Sequence, residues 1–167
     1  LTEITLPDGL TVIDRWAFEN CTALENIVLP DSVTTIGASA FLNCKTLASV
    51  NIPLSWTEVH DWSGGNIFSG CEKLMSITVP EGMTALPDYA FEDCNYLETV
   101  SLPSTLETIG GSAFSGCIAL NHVTVPDGTT TLGENAFKGC TSLTEITLPD
   151  GLTVIDRWAF ENCTALE

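Results

Sequence analysis

The side chains of this 167-residue chain with the most chemistry to offer are seven cysteines, two histidines and a cluster around two tryptophans. Their spacing decides what each can do. The cysteines stand at Cys21, Cys44, Cys71, Cys94, Cys117, Cys140 and Cys163, never closer than 23 residues. A structural zinc site needs cysteines paired a few residues apart and a second pair to complete four ligands, so this spacing excludes the common zinc motifs. Disulfides between neighbours are disfavoured, because side chains stacked in register point alike rather than toward each other. The expectation is a set of buried free thiols acting as small hydrophobes, which suits an odd count. His60 and His122 have no convincing nucleophile partner, and no GxSxG, HExxH, phosphate loop or dinucleotide fingerprint is present. Nothing singles out a glycosidase-like pair among 22 carboxylates. Neither an enzyme nor a cofactor or metal site is expected.

The insertion-like stretch LSWTEVHDWSGGNIF gathers Trp56, His60, Asp61 and Trp62 beside Ser63, Gly64 and Gly65. Exposed tryptophan beside polar groups is the composition of interface hot spots and sugar-stacking platforms. Trp62 is the better candidate for exposure. Trp56 has two readings, as part of this surface or as a core residue in the place that Leu10 and Val33 take elsewhere. Trp16, Tyr89 and Trp158 share a position before Ala-Phe, either as an outer aromatic stripe or as filling between neighbouring segments. Acidic turns at Asp8, Asp31, Glu81, Asp127 and Asp150 offer oxygens to calcium, yet no EF-hand or nonapeptide pattern appears, so only diffuse cation binding is expected. Asn20 and Asn162 begin NCT sequons, which matter only in a eukaryotic secretory route.

What positions these residues is a repeat. Prolines fall at Pro7, Pro30, Pro53, Pro80, Pro103, Pro126 and Pro149, 23 residues apart except for 27 between Pro53 and Pro80, and phenylalanines keep the same rhythm from Phe18 to Phe160. Each unit begins with a β-branched segment such as ITLP or VTVP, which reads as a strand ended by proline, a residue with no N–H to give to a ladder. A turn and a second apolar pair follow, as at Leu10 and Ile13. Then Ala17, Phe18, Cys21 and Leu24 recur at i, i+1, i+4 and i+7, which predicts a short helical turn, with Asp14, Gly37, Gly110 or Gly133 at its N-cap. One such unit cannot bury its apolar face alone, whereas stacked units bury each other. The expected fold is an α/β solenoid of seven 23-residue coils, the third extended to 27, with a parallel β-sheet on one face and helical turns on the other. At the usual strand spacing the sheet side is about 35 Å long.

Strand positions facing away from the core carry mainly small polar groups, among them Asn51, Thr78, Ser101 and Thr124. Threonine and serine suit any exposed sheet, but the sheet face of a solenoid is also where partners bind. The insertion would be a loop on one such face.

Net charge narrows the partners. With 22 acidic against 5 basic residues the chain carries −17, which repels nucleic acid and anionic lipid. No apolar run approaches the roughly 20 residues of a membrane span.

The segment LENIVLPDSVTTIGASAFLNCKTL resembles the BspA-like, Treponema-type leucine-rich repeat family, and the pattern runs through the whole chain. That resemblance implies a leucine-rich repeat fold and an extracellular or cell-surface binding or adhesion module, with a protein or glycan partner on another cell or matrix. The 27-residue interval departs from the family rhythm.

Residues 1–25 and 143–167 are identical, including surface residues such as Glu3, Arg15, Glu19 and Asn20 that packing does not dictate. The expectation is a 142-residue super-repeat, arising from a long tandem chain, an assembly or a duplicated coil. Leu1 starts inside the pattern and Leu166 begins a further unit, so neither end reads as capped. Unpaired edges of this kind suit head-to-tail self-association into a surface fibre, the alternative to the binding module.

Overall fold

The structure, a computed structural model, describes residues 2–60 and 64–167. Its strands are short: β1 (Val12–Ile13), β2 (Asn26–Ile27), β3 (Thr35–Gly37), β4 (Ser49–Val50), β5 (Glu58–His60), β6 (Ser76–Thr78), β7 (Ala85–Leu86), β8 (Thr99–Ser101), β9 (Thr108–Ile109), β10 (His122–Thr124), β11 (Thr131–Leu132), β12 (Glu145–Thr147) and β13 (Val154–Ile155). The even-numbered strands precede the prolines and form a first set of parallel sheets; the odd-numbered strands hold the second apolar pair and form another. The chain is a β-solenoid of about six turns, because the first of the seven sequence repeats gives no strand to the first sheet.

The second sheet corrects the sequence reading, which took one sheet per coil. The third side corrects it further. No helix forms among the described residues. In the first repeat, N–H groups alternate between two destinations: Ala17, Glu19 and Cys21 donate to carbonyls three residues back, while Trp16, Phe18 and Asn20 donate to Ala38, Ala40 and Leu42 of the next repeat. Two left-handed residues four apart enforce this. The position before Ala-Phe (or Ile-Phe) has φ between 47° and 61° in all seven repeats, and the position before cysteine has φ between 54° and 74°. The second of these is always Asn, Asp or Gly, the residues that enter this region most readily. A helix uses its N–H groups within itself, whereas these turns spend half of theirs on the neighbouring coil. The proposed N-cap glycines instead permit close approach, since a Cβ on Gly37 would lie 2.3 Å from the Arg15 nitrogen and one on Gly110 2.6 Å from the Leu86 carbonyl.

The core is a column. Phe18, Phe41, Phe68, Phe91, Phe114, Phe137 and Phe160 stack with ring centroids 5.1 to 6.2 Å apart. All seven cysteines are free, and all but Cys21 are buried. Cys44 Sγ donates to the Phe18 carbonyl at 3.1 Å, and Cys117 Sγ to that of Phe91 at 3.2 Å. Cysteine thus fills the space of a small hydrophobe and supplies one weak donor to the preceding coil. Burial pushes three of these thiols up, to about 11 for Cys44 and about 12 for Cys71 and Cys140, so these three stay protonated and unreactive at neutral pH.

The 27-residue interval breaks this order at one place. The first sheet divides into β2-β4 and β6-β8-β10-β12, the second into β1-β3-β5 and β7-β9-β11-β13. The turn-side ladder stops there as well: Phe41 donates to Ile67 and Phe91 to Ala113, but among the described residues no ladder bond links the third repeat to the fourth. Side chains hold the junction instead. Glu92 accepts the Gly65 N–H at 2.7 Å. Trp56 is 1% exposed, meets Phe91 edge-on at 6.0 Å and donates Nε1 to the Glu58 carbonyl at 2.9 Å.

Candidate functional site

On the first sheet, alternation sends Ile77, Val100 and Val123 inward and leaves Ser76, Thr78, Thr99, Ser101, His122 and Thr124 exposed. Register makes a line of these groups: Thr78 lies beside Ser101, His122 beside Thr99, and Thr124 beside Thr147. Ser101, His122, Thr124 and Thr147 of this line border a trough of about 600 Å³ that Leu102, Leu148 and Pro126, with the acidic Glu81 and Asp127, also line. Within it His122 Nε2 and Thr124 Oγ1 are 3.1 Å apart, and His122 Nδ1 is 3.8 Å from Glu145 Oε2. The surface therefore offers hydroxyls and an imidazole over apolar ground, edged by carboxylates. Such a surface can donate and accept hydrogen bonds to hydroxyl or peptide groups. Among the described residues no three His, Cys, Asp or Glu side chains are grouped to hold a metal ion.

Thr78, Ser101 and Thr124 thus share one surface. Asn51 follows β4 in the separate β2-β4 pair, and both polar atoms of its amide are engaged: Oδ1 accepts the Leu29 N–H at 2.7 Å and Nδ2 donates to the Leu29 carbonyl at 2.8 Å. The amide takes the place of the ladder bond that Val79 and Val125 give to the carbonyls of Ser101 and Thr147. Trp56 belongs to the interior and cannot meet a partner, which decides between its two readings. His60 ends β5 in the second sheet, away from the hydroxyl line, and reaches across the missing side chain of Gly37 to Asp14 Oδ1 at 3.4 Å. The Arg15 N–H bond to Asp14, with His60 nearby, lowers that carboxyl's pKa. Asp61 and Trp62 lie outside the described residues. The trough's apolar floor and acidic rim escaped sequence reading, although the PEG and PDG turns that supply Glu81 and Asp127 were visible as acidic turns.

Trp16 and Trp158 are 56% and 53% exposed, which favours the outer stripe for these two. Each lies beside basic groups, Arg15 at 5.6 Å for Trp16, and Arg157 at 5.4 Å and Lys138 at 5.8 Å for Trp158.

Comparison with known proteins then fixes the family. The model for the BspA type leucine rich repeat region matches in six copies, over residues 1–63 and 63–167. The chain belongs to the BspA-type leucine-rich repeat family. Among solved structures, a T. pallidum leucine rich repeat protein is similar at 29% identity and a TM-score of 0.76, covering 99% of this chain and 78% of its own. A leucine-rich repeat protein from Bacteroides ovatus is similar at 28% identity and a TM-score of 0.54, with 96% of this chain matched to 58% of that one. The pneumococcal vaccine antigen PcpA shares the fold at 24% identity and a TM-score of 0.53, over 86% of this chain and 43% of that one. No curated protein matches. The repeat itself builds the first sheet and its trough, and the third-to-fourth junction is this chain's departure from the repeat.

Proposed function

We propose that the chain is a binding or adhesion module of an extracellular or cell-surface protein, taking a protein or glycan partner on another cell or matrix along the first sheet. BspA-type leucine-rich repeat proteins are typically surface proteins, which supports the location. The observation that carries the reading is the exposed pair Ser101 and Thr124 lining the trough beside apolar groups, with the exposed Thr78 next to Ser101. Nucleic acid and direct membrane insertion are poor fits to a charge of −17; among the described residues no helix is long and apolar enough to cross a membrane.

The test is an array of glycans and matrix proteins probed with the wild type and with a Ser101→Lys, Thr124→Lys double variant, which keeps the fold because both positions are exposed. Loss of signal is expected on the variant. Equal signal removes the sheet face from consideration. A Trp62→Ala arm asks separately whether the insertion contributes. Acidic partners need bridging cations, so chelation should weaken their capture.

The second reading is structural, a segment of an extracellular surface fibre joined end to end. What favours it is the identity of residues 1–25 with 143–167. Electron microscopy separates the two: discrete arcs support the module, continuous fibres the stack.

A further inference from the structure

We propose that the second sheet takes up an extended peptide of a partner, basic on its outward side, as an extra strand between β5 and β7. The site lies at the third-to-fourth junction, with described coils on both sides of it, and is separate from the hydroxyl line of the first sheet.

Elsewhere in the second sheet each coil donates to the one before it. Thr34 and Thr35 give their N–H groups to the Thr11 carbonyl, Thr57 and Glu58 to that of Thr34, Glu107 and Thr108 to that of Thr84, and Thr130 and Thr131 to that of Glu107, at 2.8 to 3.3 Å. At the junction the series misses a step. The N–H groups of Thr84 and Ala85 do not reach the Thr57 carbonyl, and β5 and β7 are not paired. The two strands therefore turn open edges toward each other, and an open edge is a template for another strand. The sequence agrees with this. Where Gly110, Gly133 and Asp156 donate to the carbonyls of Leu86, Ile109 and Leu132 in the preceding coil, the fourth repeat has Pro87, which has no N–H to give. Proline within a sheet belongs on an unpaired edge.

The spacing suits one strand. No Cα of β5 lies within 8 Å of a Cα of β7, whereas paired strands stand about 4.8 Å apart and a strand set between two others needs about 9.6 Å. In the first sheet the unpaired β4 and β6 do approach within 8 Å, so no strand enters there. The gap closes again at both ends, which holds its width: a Cβ on Gly82 would lie 3.4 Å from Leu54 Cδ1, and one on Gly65 would collide with the Tyr89 carbonyl. Between these closures Trp56, Thr57, Met83, Ala85 and Leu86 line a groove of about 370 Å³. Val59 in β5 is only half-buried, at the register position where Ile36, Leu86 and Ile109 are covered. An inserted strand accepts from the Thr84 and Ala85 N–H groups, donates to the Thr57 carbonyl, and sets an apolar side chain beside Val59 and Leu86. Its alternate side chains then point outward beside Glu58, which is exposed on β5, and near Asp88, which also lines the groove. Opposite charges across neighbouring strands attract, and the chain as a whole carries −17, so lysine or arginine is selected at those outward positions. Main-chain bonds would supply affinity and the alternate side chains specificity.

The test selects a random seven-residue peptide library on the wild-type chain. Enriched peptides should alternate basic and apolar residues and, at saturation, slow hydrogen exchange at the Thr84 and Ala85 amides. N-methylation of the central peptide bond, which keeps every side chain, should weaken binding about tenfold, and Ala85→Pro, which removes one N–H from the open edge, by a similar factor. The N-methyl arm needs no variant and stands whether or not the Ala85→Pro chain folds. Glu58→Lys, an exposed substitution, tests the outward charge and should also weaken capture. The proposal is overturned by no enrichment on the wild type over the Glu58→Lys chain, by peptides that bind equally well when N-methylated, or by protection of Ser101 and Thr124 in place of Thr84 and Ala85. Sedimentation without peptide supplies the last arm: a dimer that Ala85→Pro abolishes makes a second copy the occupant and overturns the peptide, whereas a monomer leaves the groove to it.

Discussion

The junction between the fifth and sixth repeats and that between the third and fourth join similar sequences in different ways. At the first, both sheets and the turn ladder cross without interruption: β9 pairs with β11, β8 with β10, and Phe114 donates to Ala136 while stacking on Phe137 at 5.3 Å. At the second, those ladders stop together, the phenylalanines part to 6.2 Å and tilt by 23°, and a buried indole and a carboxylate do the joining. The lesson concerns register. Backbone ladders require each coil to return at the same height, and four extra residues disturb that on every side at once. Apolar packing tolerates the disturbance because it has no fixed direction.

The largest effect should come from breaking the regular side. Phe114→Ala removes a ring packed against neighbours on both faces and should cost about 4 kcal/mol in urea unfolding, within the usual range for buried phenylalanine. A loss under about 1 kcal/mol would mean the column does not bear the stability assigned to it.

Breaking the irregular side should look different in kind. Trp56→Ala should cost about 3 kcal/mol and divide one unfolding transition into two, because nearest-neighbour coupling is what makes a solenoid unfold as a unit. Hydrogen exchange would then show residues 26–60 and 97–160 opening separately. A single transition in the variant would show that the junction is not the weak coupling.

Glu92 sharpens the comparison through pH. Burial raises its carboxyl above the usual 4.5, partly offset by the Gly65 N–H. A raised value in the folded state means the folded protein holds the proton more tightly than the unfolded one, so this contribution to stability is full below 4.5 and is lost as pH rises through the raised value. Glu92→Gln has no such titration. The stability of the wild type relative to this variant should therefore fall as pH rises above 4.5, and a flat difference would show that the carboxylate does not sense its burial.

The smallest effect belongs to the regular turns. Gly139 has φ of 74°, and a Cβ there would meet nothing closer than 3.8 Å. Gly139→Ala isolates the left-handed backbone and should cost about 1 kcal/mol, with Gly139→Asn costing less.

Much of this was legible because repetition multiplies weak signals. One proline after a β-branched pair says little, but seven at a fixed interval define the strand edge, and Asn, Asp or Gly before every cysteine marks a left-handed turn once that column of residues is read together. The spacing of Ala17, Phe18, Cys21 and Leu24 misled, since burial on one side repeats at i, i+1 and i+4 in a helix and equally in a turn that lends alternate N–H groups to its neighbour. At the candidate surface, Thr78, Ser101 and Thr124 followed from alternation alone. Asn51 did not, because nothing in its own segment reveals that its amide has closed on Leu29 22 residues away.

The sequence by itself determined the solenoid, the burial of the phenylalanine and cysteine columns, and the place where the rhythm fails, because these depend on periodicity and on the partition of apolar groups out of water. Only the tertiary structure decided that three ladders fail together, that Trp56 lies inside, and that the amide of Asn51 closes on Leu29. Those outcomes depend on which coil lies next, and a local stretch of chain carries no record of its neighbour across space.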